Sequence, residues 1–333
     1  MPNIAFLSTA HTHTKSFLKA VSGKEDCNVV AIWDDMESRG QDFANEFGAD
    51  YSSDLDAVIG REDVDGFIVC VENTRHLPLL KAAIPTRKPI FCEKPFTTTV
   101  DDALEAVALI KEHGTIVHMG YFQPFSAEMQ GVIEHVKSGA LGNLTHARYR
   151  NAHHAAYGHW FDSEALAWFA DPALAGGGAF MDMGTHAVHL MRTILGPVTE
   201  VLATISNVSG IYPNVDDNGV AMFRFENGVV ATVEGSWVQT GGPRALEVVG
   251  SDATLFPIPD RGFVTQKPRE EPVDVVQGTE RPTRVNRLVS AINGELSREE
   301  LDADLECAVD AVAIMEACYK SNESKHWEPV AKV

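Results

Sequence analysis

The chain has 333 residues, with 47 Asp and Glu against 27 Lys and Arg, and a formal net charge of −20 with His neutral. That excess argues against a nucleic-acid binder, because a phosphate backbone is held by clustered cations and the sequence contains no basic patch to override the field. A hydrophobic share of 44% with 22% charged residues argues against disorder, and the length suits two domains, since single cores rarely grow past about 250 residues.

No apolar run approaches the roughly 20 residues of a membrane helix, and the N-terminus lacks the basic, apolar, small-residue order of a signal peptide. The expected address is the cytoplasm. The five cysteines, Cys27, Cys70, Cys92, Cys307 and Cys318, form no C-x-x-C pair. Cys70 and Cys92 lie inside apolar runs, as buried thiols of a reducing compartment do.

The first 120 residues alternate short β-branched runs with amphipathic stretches. The pattern predicts buried strands at 3–8, 28–34, 65–71, 88–93 and 115–119, each nearly continuous and bounded by turn residues. Between them it predicts helices at 14–22, 37–47, 74–83 and 101–113, the last with Leu104, Val107, Ala108 and Leu109 at helical spacing. Strand and helix in repeated alternation mean a parallel, doubly wound α/β sheet.

Beyond residue 120 the order changes. A helix at 127–138 ends at Gly139, and a second apolar helix follows the run Gly176 to Gly178. Strands then crowd together at 201–208, 218–225, 229–237, 245–250, 253–257 and 263–266, and a helix at 301–320 closes the chain. Glu226-Asn227-Gly228 is a hairpin signal, since Asn-Gly takes the positive φ angles of such turns. The chain therefore divides into a domain at 1–120 and an α+β domain at 121–333 with a predominantly antiparallel open sheet.

The first strand-to-helix turn is where a dinucleotide phosphate would sit, because a helix N-terminus offers N–H groups and partial positive charge. It reads Ser8-Thr9-Ala10-His11-Thr12-His13, so Ser8, Ala10 and His13 stand where G-x-G-x-x-G has its glycines. Ser8 and Ala10 are small enough for close backbone approach. The acid expected at the end of the second strand, for a ribose hydroxyl, is Asp34; with Asp35 beside it, a 2′-phosphate is repelled. His11 and His13 also allow another reading. An H-x-H pair after a first strand opens many metal-dependent hydrolases, but that arrangement needs an eight-stranded barrel, which the antiparallel strands after residue 200 do not permit. The expectation is a nucleotide-facing turn and no metal.

Two longer motifs are more specific: Glu93-Lys94-Pro95 after an apolar strand, and Gly176-Gly177-Gly178-Ala179-Phe180-Met181-Asp182-Met183-Gly184-Thr185-His186. With Asn73-x-x-His76 and Ser138-Gly139-x-Leu141-Gly142, they make the chain resemble the glucose-fructose oxidoreductase and inositol dehydrogenase family, Gfo/Idh/MocA, over nearly its whole length. The resemblance implies a Rossmann domain that holds NAD or NADP, of which Asp34 and Asp35 make NADP the less favoured, and a second domain for substrate and subunit contacts in a homodimer or homotetramer. It implies a small-molecule sugar or polyol as substrate; charge and hydropathy give the expectation of no nucleic acid and no membrane partner. Lys94 corresponds to the family's substrate-contacting lysine, and Asp182 and His186 to its catalytic pair. Ser8, Ala10, His11, His13, Asp34, Asn73, His76, Glu93 and Lys94 are the candidate cofactor residues.

The chemistry supports these roles separately. Taking a hydride from a secondary alcohol leaves an oxygen that must lose a proton, and imidazole suits that base. Asp182 lies four residues before His186, so on a helix it shares a face and can orient the ring. His189, one turn on, reads as a core histidine. Lys94 can stabilise the developing alkoxide. The stretch His153 to Phe161 offers Tyr157, His159 and Trp160 as substrate contacts, with a subunit-contact loop as the alternative; Arg148 and Arg150 read as sheet-surface charges. The expected activity is an NAD(H)-dependent sugar or polyol dehydrogenase or reductase. Two alternatives stay open: a redox-neutral lyase or glycoside hydrolase that works through a transient keto-sugar on retained NAD, and a non-catalytic sugar-sensing protein of the same fold.

Overall fold

The computed structural model describes residues 1–242 and 246–333. In chain order it begins β1 (Asn3–Leu7), α1 (Thr14–Ser22), β2 (Asn28–Trp33), α2 (Glu37–Phe47), β3 (Asp50–Ser52), α3 (Leu55–Ile59), β4 (Gly66–Val69), α4 (His76–Ala83), β5 (Ile90–Cys92), α5 (Val100–His113) and β6 (Val117–Met119). It continues α6 (Ala127–Lys137), β7 (Leu144–Ala152), α7 (Pro172–Ala175), a π-helical turn (Phe180–Gly184) that runs into α8 (Thr185–Leu195), and β8 (Val198–Ser206). There follow β9 (Asn218–Phe225), β10 (Val230–Ser236), β11 (Leu246–Gly250), β12 (Thr254–Ile258), β13 (Gly262–Gln266), β14 (Val273–Asp274), α9 (Arg284–Ile292), α10 (Arg298–Ser324) and β15 (Glu328–Pro329). Ala245, expected to open a strand, lies outside the described residues.

Two compact units result. The first takes residues Met1–Gly120, Phe161–Gly176 and Pro282–Val309; the second takes Tyr121–Trp160, Gly177–Arg281 and Asp310–Val333. The first unit is built on a parallel sheet, six-stranded among the described residues, in the order β3-β2-β1-β4-β5-β6. Apart from the edge strand β3, its strands are short apolar runs with both faces covered, and Ile4, Phe6, Ile32, Ile68 and Phe91 share a core with Phe17, Leu18 and Val21 of α1. The helix ends follow local chemistry. In α5, Thr99 accepts from Asp102 N–H, acidic residues fill the first turn, Lys111 and His113 fill the last, and Gly114 closes the helix at φ 70.

β3, α3 and α9, like the four-residue α7, depart from the sequence expectation in this unit. β3 is a three-residue edge strand of Asp, Tyr and Ser, and α3 is a five-residue helix capped by Asp54, both too short to show a period. α9 carries Val285, Leu288, Val289 and Ile292 at helical spacing, yet its apolar face is covered by the core of β1 and β2, far back along the chain. It also buries Arg287, whose guanidinium pairs with Glu300 at 3.0 Å and with Asp304. A buried cation of this kind requires both carboxylates.

The second unit centres on a mixed sheet, nine-stranded among the described residues, ordered β14-β13-β12-β11-β7-β10-β9-β8-β15. β10 and β7 run parallel and every other described pair is antiparallel, including β9 and β10 around the Asn227-Gly228 turn, where Gly228 has φ 85. α6, α8 and the second half of α10 cover one face. Arg148 and Arg150 pair with Glu247 and Glu234 of neighbouring strands, as sheet-surface charges. All five cysteines are free and buried. Among the described residues, no helix is long and apolar enough to cross a membrane.

Each unit buries a histidine against an aromatic ring. His118 stacks on Phe91 with centroids 5.2 Å apart, and His189 stacks on Tyr121 at 3.8 Å. Burial pushes both rings down to about 3, helped by Arg287 and Arg192 respectively. Because the folded values lie below the ordinary 6.5, the unfolded chain takes up protons first as the pH falls. The stability is whole above that value and is lost progressively toward the folded one. Thermal stability should therefore fall from pH 6.5 to about pH 5, where few carboxylates titrate, by up to about 1.4 kcal/mol per pH unit for each ring. His118→Gln and His189→Gln should each flatten the slope. A melting temperature that stays level across this window in the parent chain would contradict the burial of both rings in neutral form.

Candidate active site

Within the first unit, the turn after β1 keeps the backbone shape of a glycine turn without the glycines. Ser8, at the first glycine's position, holds φ 71, and Ala10 is buried. The conformation is held from outside. Asp34, at the end of β2, accepts from Thr9 N–H at 2.7 Å, from Thr9 Oγ1 at 2.8 Å and from Ser8 Oγ at 3.3 Å. Its other oxygen accepts from Met36 N–H at 2.9 Å and from Arg39 Nη2 at 2.8 Å. Burial would raise this carboxyl, but Arg39 and the turn donors outweigh burial and hold it below its ordinary value. Asp34 is thus engaged on both oxygens by the protein itself, and a ribose has to share it. Arg39 also meets Asp35 at 3.5 Å and Glu72 at 3.6 Å, and Arg75 bridges Glu72 and Asp35.

His11 and His13 belong to a second cluster of the same unit. Glu93, fully buried, accepts from Lys94 N–H at 2.9 Å on one oxygen and faces His13 Nδ1 at 3.3 Å with the other. Burial alone would raise it, yet the charges of His11, His13 and Lys94 hold the carboxyl well below its ordinary range. The ligand-capable atoms of His11, His13 and Glu93 lie within 4.8 Å of one another, a spacing a metal could close. The hydrogen bonding argues otherwise. The backbone N–H of His13 donates to His11 Nδ1 at 3.2 Å, so the protein itself already engages the lone pair of that nitrogen. His11 is walled by Trp168 and Phe169, with ring centroids at 6.0 and 5.8 Å, and Trp168 Nε1 donates to Ala10 O.

Lys94 is itself buried, and its peptide bond to Pro95 is cis. Two of the candidate cofactor residues turn out to support the neighbouring backbone. His76 Nδ1 donates to Pro95 O at 2.7 Å, and Asn73 Nδ2 donates to Ala175 O at 2.9 Å. Burial lowers His76 from its ordinary value, against the carbonyls of Pro95 and Val71 that face its two ring nitrogens.

In the second unit, Asp182 lies in the π-helical turn and His186 in the first turn of α8. A π turn winds more widely than an α-helix, so residues four apart stay on one side of it. Asp216 starts the turn by accepting from Gly178 N–H and Phe180 N–H at 2.8 and 2.7 Å, and Asn151 Nδ2 donates to Met183 O at 2.9 Å near its end. His186 packs edge-on against Tyr121 and Phe122, with centroids at 5.8 and 5.7 Å, and Tyr121 shares a hydrogen bond with Thr185. Asp182 Oδ2 accepts from the indole of Trp237 at 2.9 Å. Tyr121, Asn151 and Trp237, which motif reading passed over, are the residues that contact this turn and its two side chains; for Tyr121 and Trp237 an aromatic at a strand end was the signal.

The loop at 153–160 is hung on the same region. His153 N–H donates to Ser236 O and Ala156 N–H to Trp237 O, both at 3.0 Å. Tyr157 and Trp160 are exposed, His159 has φ 52, and Trp160 packs against His153 and His154 at 4.8 and 5.2 Å.

Residues 7–121 match the model of an oxidoreductase family, GFO/IDH/MocA, with an NAD-binding Rossmann fold, and residues 129–256 match the GFO/IDH/MocA C-terminal domain. The chain is 27% identical over 242 residues to a 1,5-anhydro-D-fructose reductase of Ensifer adhaerens, covering 72% of this chain and 70% of the relative. It is 28% identical over 293 residues to an inositol 2-dehydrogenase of Acidothermus cellulolyticus, covering 86% and 79%. Among solved structures, an inositol dehydrogenase homologue from Azotobacter vinelandii complexed with NAD+ shares the fold, with a TM-score of 0.83 at 18% identity over 98% of this chain and 97% of that one.

Two outcomes test the first unit's clusters. Asp34→Ala should cost the cofactor-free protein about 2–4 kcal/mol in chemical denaturation, because it strips the turn and leaves Arg39 buried with fewer partners. Ser8→Gly should stay within about 1 kcal/mol of the parent and Ser8→Val should cost more, since β-branched residues resist positive φ. Equal stability of Ser8→Val and the parent would count against the turn geometry. Elemental analysis of protein purified without a His tag should find no stoichiometric metal; zinc, manganese or iron lost in His11→Ala or His13→Ala would overturn the reading of that cluster as a nucleotide-facing turn without a metal.

Proposed function

This chain belongs to the Gfo/Idh/MocA family of oxidoreductases, with an NAD-binding Rossmann domain at its N-terminus. From that premise we propose that it moves a hydride between nicotinamide and a secondary alcohol or ketone of a sugar, cyclitol or glycoside. The residues of the first turn fit the dinucleotide. Ser8 already holds the positive φ of a glycine, Ala10 adds little bulk, and α1 begins at Thr14 with its positive end toward the turn. NAD, when bound, supplies the hydride acceptor.

The rest belongs to the chain's own side chains. His186 takes the proton of the reacting hydroxyl, and Asp182 orients that ring and stabilises its charged form. Lys94 stabilises the negative charge that develops on the oxygen. The observation that carries the reading is the held geometry of the pair: Asp182 fixed by a buried indole N–H, four residues before a His186 packed between two aromatic rings. The relatives, named for an anhydro sugar and an inositol, support a ring-bearing polyol as the substrate class.

NAD is the favoured cofactor. At the end of β2, three carboxylates, Asp34, Asp35 and Glu72, meet two guanidiniums, Arg39 and Arg75, and the remaining negative charge opposes a 2′-phosphate.

Thermal-shift titration with NAD, NADH, NADP and NADPH should show stabilisation by the unphosphorylated pair at lower concentration; equal or tighter NADPH binding would contradict this. Turnover is then sought with inositols, 1,5-anhydrohexitols, hexoses and methyl glycosides. In single-turnover kinetics with cofactor pre-bound, His186→Ala should lose about 10²-fold or more. Lys94→Ala should also slow hydride transfer, while NAD still stabilises His186→Ala. Unchanged rates in both variants would place the chemistry elsewhere. Product formed with no net change in NADH would favour the redox-neutral alternative.

A further inference from the structure

Trp237 belongs to neither family motif, yet it is fully buried and hydrogen-bonds to Asp182, Asp217 and Ala156. Its indole N–H donates to Asp182 Oδ2 at 2.9 Å, its backbone N–H donates to Asp217 O at 2.9 Å, and its carbonyl accepts from Ala156 N–H at 3.0 Å. The last bond, with His153 N–H to Ser236 O and Gln239 N–H to His153 O, ties the 153–160 loop to the end of β10.

The sheet beneath places the indole. Gly235 of β10 lies on one rung with Gly219 of β9 and Asn151 of β7. A Cβ on Gly235 would stand 2.7 Å from Gly184 N, and one on Gly219 would stand 2.4 Å from the Phe180 ring. The π turn therefore rests directly on strand backbone, and Asn151 fastens it there through Met183 O. Trp237, two residues beyond Gly235, stands at the height of Asp182. An indole N–H can only donate, so it favours the ionised carboxylate and takes away its freedom to swivel.

We propose that Trp237 is the positioning residue for Asp182: its indole N–H fixes the carboxylate that orients His186, and its carbonyl ties the 153–160 loop to the same point. The inference rests on the reading of Asp182 and His186 given above. Trp237→Phe keeps the ring and removes the donor. Hydride transfer to pre-bound NAD, from the alcohol turned over in the panel, should slow by about tenfold or more, with NAD affinity unchanged. In an Asp182→Ala background, the same substitution should change the rate by less than about twofold, because both residues act through one carboxylate. A packing role would persist in both backgrounds, so additive losses would overturn the proposal, as would an unchanged rate in Trp237→Phe alone.

A second arm needs neither substrate nor a Trp237 variant that folds. In 15N-indole spectra of the intact chain, whose other tryptophans are Trp33, Trp160, Trp168 and Trp327, one indole N–H signal should be protected from exchange and should move upfield in Asp182→Ala. A spectrum indifferent to Asp182→Ala overturns the hydrogen bond itself. An Asp182→Ala variant with full activity but a displaced indole signal would instead defeat the catalytic reading of Asp182, and the positioning role with it.

Discussion

A helical turn can lie with its backbone against a sheet only where the strands under it carry no side chain on that face. In the second unit that condition is met at one rung, where Gly219 and Gly235 sit side by side and Asn151 completes the row with a hydrogen bond. The π turn, Asp182 within it, His186 after it and Trp237 beside it all take their positions from this seat. The wider winding of the turn costs some hydrogen-bond quality, which Asp216 and Asn151 offset by binding backbone groups at both ends.

The first unit solves a related problem by other means. A dinucleotide turn ordinarily gains its shape from glycine, which tolerates positive φ at no steric cost. Here a serine adopts that angle, and the cost is offset by Asp34, which collects donors from Ser8, Thr9, Met36 and Arg39. Conformational freedom is replaced by a buried ionic network. Such a network is more specific in geometry and less forgiving of substitution than glycine, because removing one partner strands the others out of water.

Buried titratable groups elsewhere follow the same logic. Glu93 is ionised in the interior because imidazoles, a lysine and a backbone N–H surround it. The Arg287 guanidinium is held in the interior by two carboxylates of α10 that reach it. His118 and His189, stacked on aromatic rings, stay neutral instead. Each group takes the protonation state that its immediate neighbours can satisfy.

Much of this was legible along the chain. Periodicity placed α1, α2 and β9 at their observed boundaries, and the Asn227-Gly228 turn paired β9 with β10. The alternation of strand and helix determined the parallel sheet, and the two motifs determined the family. These are properties of neighbouring residues, so the sequence carries them directly. Short elements such as β3 and α3 escaped because they hold no full period, and α9 showed its helical face but not its place in the core. Asp34 and Trp237 mark the limit. Asp34 meets Thr9 across 25 residues and Trp237 meets Asp182 across 55, distances closed only by strand pairing. Which carboxylate is saturated by its own protein, and which indole holds Asp182 in place, are therefore decisions of the tertiary structure: a hydrogen bond depends on direction and separation in space, and neither is written in the order of residues.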